Sequence, residues 1–212
     1  MTPCAPSSRP EVCFCALPLG PELGGRVSDA ARAALGVADG EEGRGPWRMA
    51  RPEGLHLTLF YAGPLAERER AAFSASLERE LAGARAPRLL LRGTGTFPAR
   101  GVPRVLFVAL DPERGAAELS ELVRRARSAA QSAGVAAQEL ERAASRPFRP
   151  HVTVARPRRA KGAAALPGAF RGLALELAFH PTEAVLMRSV RGDGAARYPS
   201  LVRIPLAVHA GD

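Results

Sequence analysis

Two short stretches of the sequence place a histidine and a threonine two positions apart inside an apolar, alternating run. His56 and Thr58 lie in "LHLTL", and His151 and Thr153 lie in "PHVTV". Because successive side chains of a strand point to opposite faces, the histidine and threonine of each stretch share one face, and their apolar neighbours point to the other. Each stretch therefore predicts a half-buried strand that presents one imidazole and one hydroxyl.

Brought together, these four side chains suit phosphoryl chemistry without a metal. A neutral imidazole can take a proton from an attacking water, and an imidazolium can give a proton to a departing oxygen. The unperturbed histidine pKa of about 6.5 allows both forms near neutral pH. The threonine hydroxyls can donate to non-bridging phosphate oxygens, where negative charge accumulates. Arg156, expected just past the end of the second strand, could add a charge-assisted contact to the same oxygens.

The elements that must position these residues follow from the change of hydrophobic period along the chain. Helical periodicity predicts helices over 66–82 and 115–133, and Ser28 is a candidate N-cap for a helix over 28–35. Alternating apolar segments predict strands in the regions between them and after them. These strands include one near 170–179.

A weak internal repeat relates the two halves. The pairs Arg51-Pro52 and Arg146-Pro147 precede His56 and His151 at the same distance. This repeat predicts two similar lobes about a pseudo-twofold, each giving one strand to a shared cleft. We expect a disordered tail over 1–10 and a single two-lobed domain over 11–208.

Composition limits the function classes without choosing among them. The chain has 212 residues, a formal net charge of +9 and a pI of about 10.9, and nearly all of its positive charge is arginine. This excess favours an anionic partner, although a GC-rich genome would also raise Arg, Ala, Gly and Pro together. No apolar run reaches the roughly 18 residues that a bilayer span needs. The odd number of cysteines (Cys4, Cys13 and Cys15) favours free thiols and a cytoplasmic location.

Other catalytic classes find less support. A catalytic zinc ion needs about three protein ligands, and the spare histidines, His180 and His209, have no ligand spacing with the first two. We therefore expect no metal and no cofactor. The sequence also lacks the G-x-S-x-G, Walker-type and G-x-G-x-x-G motifs. A non-catalytic RNA-binding module, whose histidines only contact phosphate, remains a rival hypothesis.

The paired motifs and their flanks resemble the 2H phosphoesterase superfamily, and within it the RNA 2′,3′-cyclic phosphodiesterases, also called the 2′-5′ RNA ligase family. The segments that carry the resemblance are "RPEGLHLTL" and "RPFRPHVTVAR", supported by "FCALPLG", "GTFP", "PRVLFVAL", "TEAVLMRS" and "YPSLVRIPL". The resemblance implies an α+β fold whose two lobes, each an antiparallel sheet with helices packed outside, enclose a positively charged central cleft. It also implies hydrolysis of RNA ends bearing a 2′,3′-cyclic phosphate to the 2′-phosphomonoester, with 2′-5′ RNA ligation as the reverse reaction.

The resemblance also implies roles for individual residues. His56 would be the proton donor to the departing O3′, and His151 the proton acceptor that activates water. Thr58 and Thr153 would hold phosphate oxygens, and Arg156 would assist them. The acid and base assignment comes only from the family, because the two strands are nearly symmetric.

Some features depart from the family pattern or leave alternatives open. "FYAG" replaces a "KFLG"-like stretch, which puts Tyr61 near the substrate, and the acidic loop 36–46 is longer than expected. Phe148 could stack on a base or belong to the core. A small cyclic nucleotide or a 2′-5′ oligonucleotide is an alternative substrate, and we expect a monomer.

Overall fold

A computed structural model describes residues 9–38, 45–145, 147–158, 165–190, 192 and 195–208. Several sequence predictions lie outside these residues. They are residues 1–8 of the predicted tail, 39–44 of the acidic loop, Arg146 of the second Arg-Pro pair, and His209.

Helices alternate with strands along the chain. The helices are α1 (Pro21–Leu35), α2 (Glu67–Leu81), α3 (Ala116–Ser132), α4 (Ala137–Ala144) and the short α5 (Gly168–Arg171). The strands are β1 (Glu11–Pro18), β2 (Trp47–Met49), β3 (His56–Leu65), β4 (Leu89–Phe97), β5 (Val105–Leu110), β6 (His151–Pro157), β7 (Glu176–Phe179), β8 (Glu183–Arg188) and β9 (Ser200–Pro205). A single 3₁₀ turn, Pro52–Gly54, leads into β3.

The strands form an antiparallel sheet in the order β7-β4-β5-β6-β3-β1-β8-β9, with β2 paired to β6. The predicted α+β class with antiparallel pairing is therefore confirmed. The two lobes are the two halves of this sheet, and they meet where β3 pairs with β6 through Leu57 and Val152. Counted outward from this junction, β3-β1-β8-β9 mirrors β6-β5-β4-β7, which is the predicted pseudo-twofold.

The helices cover the face of the sheet that carries the apolar side chains of the motif strands. Leu57 and Val152 are fully buried, and Phe60 of β3 packs against Phe73 of α2 with ring centroids 6.2 Å apart. The helices predicted over 66–82 and 115–133 are confirmed within one residue at each end. In the described part of the chain, no helix is long and apolar enough to cross a membrane.

Two local predictions were wrong. Ser28 does not cap a helix, because α1 begins earlier, at Pro21, and Ser28 is buried in its middle. Proline is well suited to the first helical turn, where its missing N–H costs nothing, and Gly20 supplies the positive φ before it. The strand predicted near 170–179 is shorter than expected. Its first residues belong to α5, and only Glu176–Phe179 form a strand, β7.

Two of the three cysteines lie in β1. Cys13 and Cys15 are buried and free. Burial raises the pKa of Cys13 to about 11 and that of Cys15 to about 12, so both remain protonated thiols at neutral pH.

Helix α1 touches the turn before β3 at a glycine. A Cβ built on Gly24 would stand 2.3 Å from the carbonyl oxygen of Pro52, whereas one on Gly25 would meet nothing within 4 Å. Gly24→Ala should lower the free energy of unfolding by about 1–3 kcal/mol because backbone must move. Gly25→Ala, the matched control, should raise it by about 0.5–1 kcal/mol through helix propensity alone. Chemical denaturation measures both, and equal stabilities would contradict the close helix–turn contact.

Candidate active site

The junction of the two motif strands places four polar side chains on one face. β3 and β6 are antiparallel, and Leu57 pairs with Val152. Antiparallel pairing at this point sets His56 opposite Thr153 and Thr58 opposite His151. We call these four residues the quartet.

A bulge at the same position in each motif strand extends this polar face. Leu59 of β3 is skipped in the register with β1, and Val154 of β6 is skipped in the register with β5. An extra residue reverses the alternation beyond it. Tyr61 and Arg156 therefore project on the same side as the quartet, where strict alternation would have sent them to the other. Arg156 lies within β6 and not past its end, which corrects the sequence interpretation.

Each imidazole is held by a backbone carbonyl two residues before it. His56 Nδ1 lies 2.7 Å from the Gly54 oxygen, and His151 Nδ1 lies 2.8 Å from the Arg149 oxygen. A carbonyl oxygen can only accept, so Nδ1 carries the hydrogen in both rings. The Nε2 atom of each ring is left to accept or donate a proton.

Aromatic rings flank both imidazoles. The centroid distances are 4.8 Å from His56 to Phe14 and to Tyr198, 4.9 Å from His151 to Phe97, and 5.3 Å from His151 to Phe107. The pKa of His56 is lowered to about 4, mainly by burial and to a smaller extent by the charges of His151 and Arg156, while the hydrogen bond to the Gly54 carbonyl acts in the opposite direction. Burial also lowers the pKa of His151, with a smaller contribution from Arg156. Both imidazoles are therefore neutral at pH 7 in the free protein.

A cleft of about 540 Å³ opens over the quartet. Its lining includes His56, Thr58, Tyr61, Thr153 and Arg156 and, among the described residues, no Asp or Glu. His151 does not line it directly and lies at its border, beside Phe97 and Phe107. Neither quartet hydroxyl has a hydrogen-bond partner among the described residues, so both are free to bind a ligand.

Sequence reasoning missed one residue of this cleft, Arg48. It lies on β2 directly opposite Arg156 of β6, and both side chains are exposed and line the cleft. Within the part of the chain that the structure describes, neither guanidinium has an ion pair or a hydrogen bond. Like charges directly opposite each other destabilise a sheet unless an anion lies between them. The sequence shows Arg48 in a short strand, but it does not show which strand is its partner.

The two aromatic candidates have different outcomes. Tyr61 is 43% exposed and lines the cleft, as expected of a residue near the substrate. Phe148 is 39% exposed and lies in the segment before β6, away from the residues that line the cleft. Of the two alternatives for Phe148, its exposure contradicts the core, and base stacking by Phe148 stays a prediction. The described residues contain no group of three or more His, Cys, Asp or Glu that could hold a metal ion.

Comparison with known proteins identifies the family. A family model described as the 2′-5′ RNA ligase superfamily matches residues 27–193, most of the chain. The chain belongs to the 2′-5′ RNA ligase superfamily. The match includes both motif strands and the helices that support them, so the quartet lies inside the region that defines the superfamily.

Curated members of the superfamily are similar to the chain over part of their length. A protein from Thermus thermophilus named RNA 2′,3′-cyclic phosphodiesterase is 40% identical over 116 residues, covering 52% of this chain and 54% of that protein. A Geobacillus stearothermophilus protein of the same name is 30% identical over 195 residues, covering 91% of this chain and 56% of that protein. The matches thus span about half the length of these curated relatives.

Solved structures agree over the whole fold. The Thermus thermophilus protein TT0787 has a TM-score of 0.70 at 27% identity, covering 92% of this chain and 97% of that chain. The Escherichia coli LigT complexed with NADP+ has a TM-score of 0.63 at 26% identity, covering 93% of this chain and 98% of that chain. These neighbours support the two-lobed arrangement around a central cleft.

The opposed arginines predict anion binding. Arg48→Ala should weaken the binding of inorganic phosphate about three- to tenfold, the loss expected for a solvated charge-assisted contact, and Arg48→Lys should recover part of it. Isothermal titration at fixed ionic strength measures the affinity. Arg68→Ala is the control, because Arg68 is an exposed arginine on α2, behind the sheet. An equal loss in both alanine variants would mean that only net charge matters.

Proposed function

We propose that the protein is an RNA 2′,3′-cyclic phosphodiesterase that hydrolyses a terminal ribose 2′,3′-cyclic phosphate to the 2′-phosphomonoester without a metal. The observation that carries this proposal is a pair of imidazoles, each with Nδ1 bound to a carbonyl and Nε2 free, on one face of two adjoining strands. Membership of the superfamily and the names of the curated relatives support the substrate class.

The residues divide the reaction into two proton transfers. His151 Nε2 takes a proton from water as the water oxygen attacks phosphorus, and His56 Nε2 gives a proton to O3′ as the P–O3′ bond breaks. Thr58 and Thr153 donate to the non-bridging oxygens, while Arg156 and Arg48 neutralise the charge that builds there. The product keeps its phosphate on O2′. The resemblance to the family decides which histidine is acid and which is base.

The low pKa of His56 means that its imidazolium must form after the substrate has bound. Phe14 and Tyr198 pack beside the ring, and in the free protein the imidazolium has the Gly54 carbonyl but no carboxylate among the described lining residues to stabilise it. A cyclic phosphodiester brings one negative charge to the cleft and raises the pKa of both imidazoles. Binding an anion therefore favours the imidazolium form of His56, whereas His151 must be neutral to act as the base.

A direct assay tests the proposal. The protein is incubated with a nucleoside 2′,3′-cyclic phosphate in EDTA, and 2′- and 3′-phosphate products are resolved by chromatography. We expect the 2′-phosphate alone. His56→Ala and His151→Ala should each lower turnover by about 10²–10⁴-fold, the usual effect of losing an acid–base group. Binding without turnover would favour the RNA-binding module, and loss of turnover in EDTA would favour a metal enzyme. A strong preference for mononucleotides or for 2′-5′ linkages would favour the alternative substrates.

The pH profile tests the electrostatics separately. The profile of kcat/KM reports the pKa values of the free enzyme. Because burial lowers both of them, that of His56 to about 4, the maximum should lie below pH 6.5. The active form of the free enzyme carries one proton on its two catalytic histidines. Above both pKa values the fraction of enzyme in this form falls about tenfold per pH unit, and kcat/KM should fall with it. The kcat profile should lie at higher pH, because bound phosphate raises both values. A kcat/KM maximum above pH 7.5 would contradict the burial of the two rings.

A further inference from the structure

Three aromatic rings, those of Phe14, His56 and Tyr198, pack against one another at one wall of the cleft. Phe14 stacks on His56 with an angle of 28° between the ring planes. Tyr198 meets His56 at 78° and Phe14 at 83°, with centroid distances of 4.8 Å and 5.4 Å. Of these three residues, only His56 has a role in the proposed reaction.

Tyr198 does not belong to a strand but lies between β8 and β9, just before β9 begins. The backbone is nevertheless fixed on both sides of it. Arg197 exchanges two backbone hydrogen bonds with Val190, and the Pro199 carbonyl accepts one from the Arg188 N–H. The proline that follows Tyr198 also disfavours helical backbone at this position. The side chain therefore starts from a well-defined point on the wall of the cleft.

Tyr198 also contacts the turn that orients His56. A Cβ built on Gly54 would stand 3.3 Å from Cδ2 of the tyrosine ring, so the ring packs over this glycine. The Gly54 carbonyl oxygen accepts the hydrogen of His56 Nδ1 at 2.7 Å. One hydrogen bond leaves an imidazole free to turn about it, and packing on two sides removes that freedom. Tyr198 thus touches both the imidazole and the residue whose carbonyl holds it.

The ring of Tyr198, and not its hydroxyl, makes these contacts. It packs against a small buried cluster of β1 and β8, formed by Phe14, Ala16, Val185 and Met187. No described residue forms a hydrogen bond with the hydroxyl. Phenylalanine at this position should therefore preserve the packing, whereas a smaller side chain should open a space beside His56.

The charges that act on the His56 ring come from a different element. They are those of His151 and Arg156 on β6. The turn before β3 carries one carboxylate, that of Glu53, which is exposed and paired with an arginine. β1 contributes apolar side chains, and Tyr198 contributes an uncharged ring. Removing the tyrosine ring therefore changes the packing and hydration of His56 without removing a charge.

We propose that Tyr198 is a positioning residue, which holds the His56 imidazole in the orientation that leaves Nε2 free to protonate the departing oxygen. This inference rests on the proposed function. Without the tyrosine ring, the imidazole can turn away and water can reach it. Displacement of a catalytic group by about 1 Å can cost about 10²-fold in rate, so the loss should appear in kcat.

Kinetics of Tyr198 variants on a nucleoside 2′,3′-cyclic phosphate test this role. Tyr198→Phe should keep kcat close to the wild-type value. Tyr198→Ala should lower kcat and kcat/KM together by about 10–100-fold, because orientation of the acid matters in the transition state. Tyr198→Leu keeps apolar bulk over the β1–β8 cluster, so it should fold and show a similar loss. Val190→Ala, in the same segment but outside the cleft lining, is the control and should leave kcat unchanged.

Wild-type kcat in both the alanine and the leucine variants would overturn the inference. A large loss in Tyr198→Phe would overturn it in another way, because the hydroxyl would then contact the substrate and Tyr198 would not act through His56.

An NMR titration of the histidine rings separates positioning from a general loss of stability. Only signals of folded protein are followed, and His56→Ala identifies the His56 signal. In Tyr198→Ala the pKa of His56 should rise from about 4, since water reaches the ring, and it should rise less in Tyr198→Leu. The pKa of His151, which packs against Phe97 and Phe107, should not change.

An unchanged pKa of His56 in the alanine variant would overturn the inference, because Tyr198 would then only support the fold. The titration needs no substrate. Absence of hydrolysis in the wild type would therefore overturn the proposed function, while the titration would still show whether Tyr198 holds the His56 ring.

Discussion

The contact between β3 and β6 through Leu57 and Val152 is the constraint on which the site depends. Side chains directly opposite each other in an antiparallel pair are about 4.5–5.5 Å apart at Cβ, and diagonal neighbours are about 7–8 Å apart. His56 and His151 are diagonal neighbours on the face of this pair that carries the quartet. A slip of one residue in this pairing would send the polar side chains of one strand into the core, so the buried apolar face fixes the register.

The backbone is nearly symmetric about this contact, but the chemistry is not. The bulges at Leu59 and Val154 occur at the same distance from their histidines and turn Tyr61 on one side and Arg156 on the other toward the cleft. Only β6 has the additional strand β2, which brings Arg48 next to Arg156. Positive charge is therefore concentrated beside β6. In the proposed reaction, a phosphate on that side has its non-bridging oxygens on the arginines and its two ester oxygens toward the imidazoles.

Much of this arrangement could be predicted from the sequence because it follows local periodicity. The alternation of apolar and polar residues predicted that His56 and Thr58 share one face. Helical periodicity predicted α2 and α3 within one residue at each end. The bulges were not predictable, since an extra residue in a strand leaves no mark when both neighbours are apolar. Arg48 was missed because its importance comes from a partner strand distant in the chain. The sequence left Phe148 open between base stacking and the core, because an aromatic residue beside a strand is often buried, and its exposure contradicts the core alternative.

The aromatic rings beside the imidazoles and the arginines without ion pairs both affect the protonation of His56 and His151. No described acidic residue lines the cleft over the quartet, so no carboxylate there stabilises an imidazolium before an anion enters. Two imidazolium rings with two arginines would repel one another strongly at this spacing, and burial avoids that state by keeping both rings neutral. In the proposed reaction, the bound anion offsets the arginines and lets one ring, but not both, take up a proton. The one proton that the two histidines share in the proposed reaction is thereby tied to the presence of the phosphate that reacts.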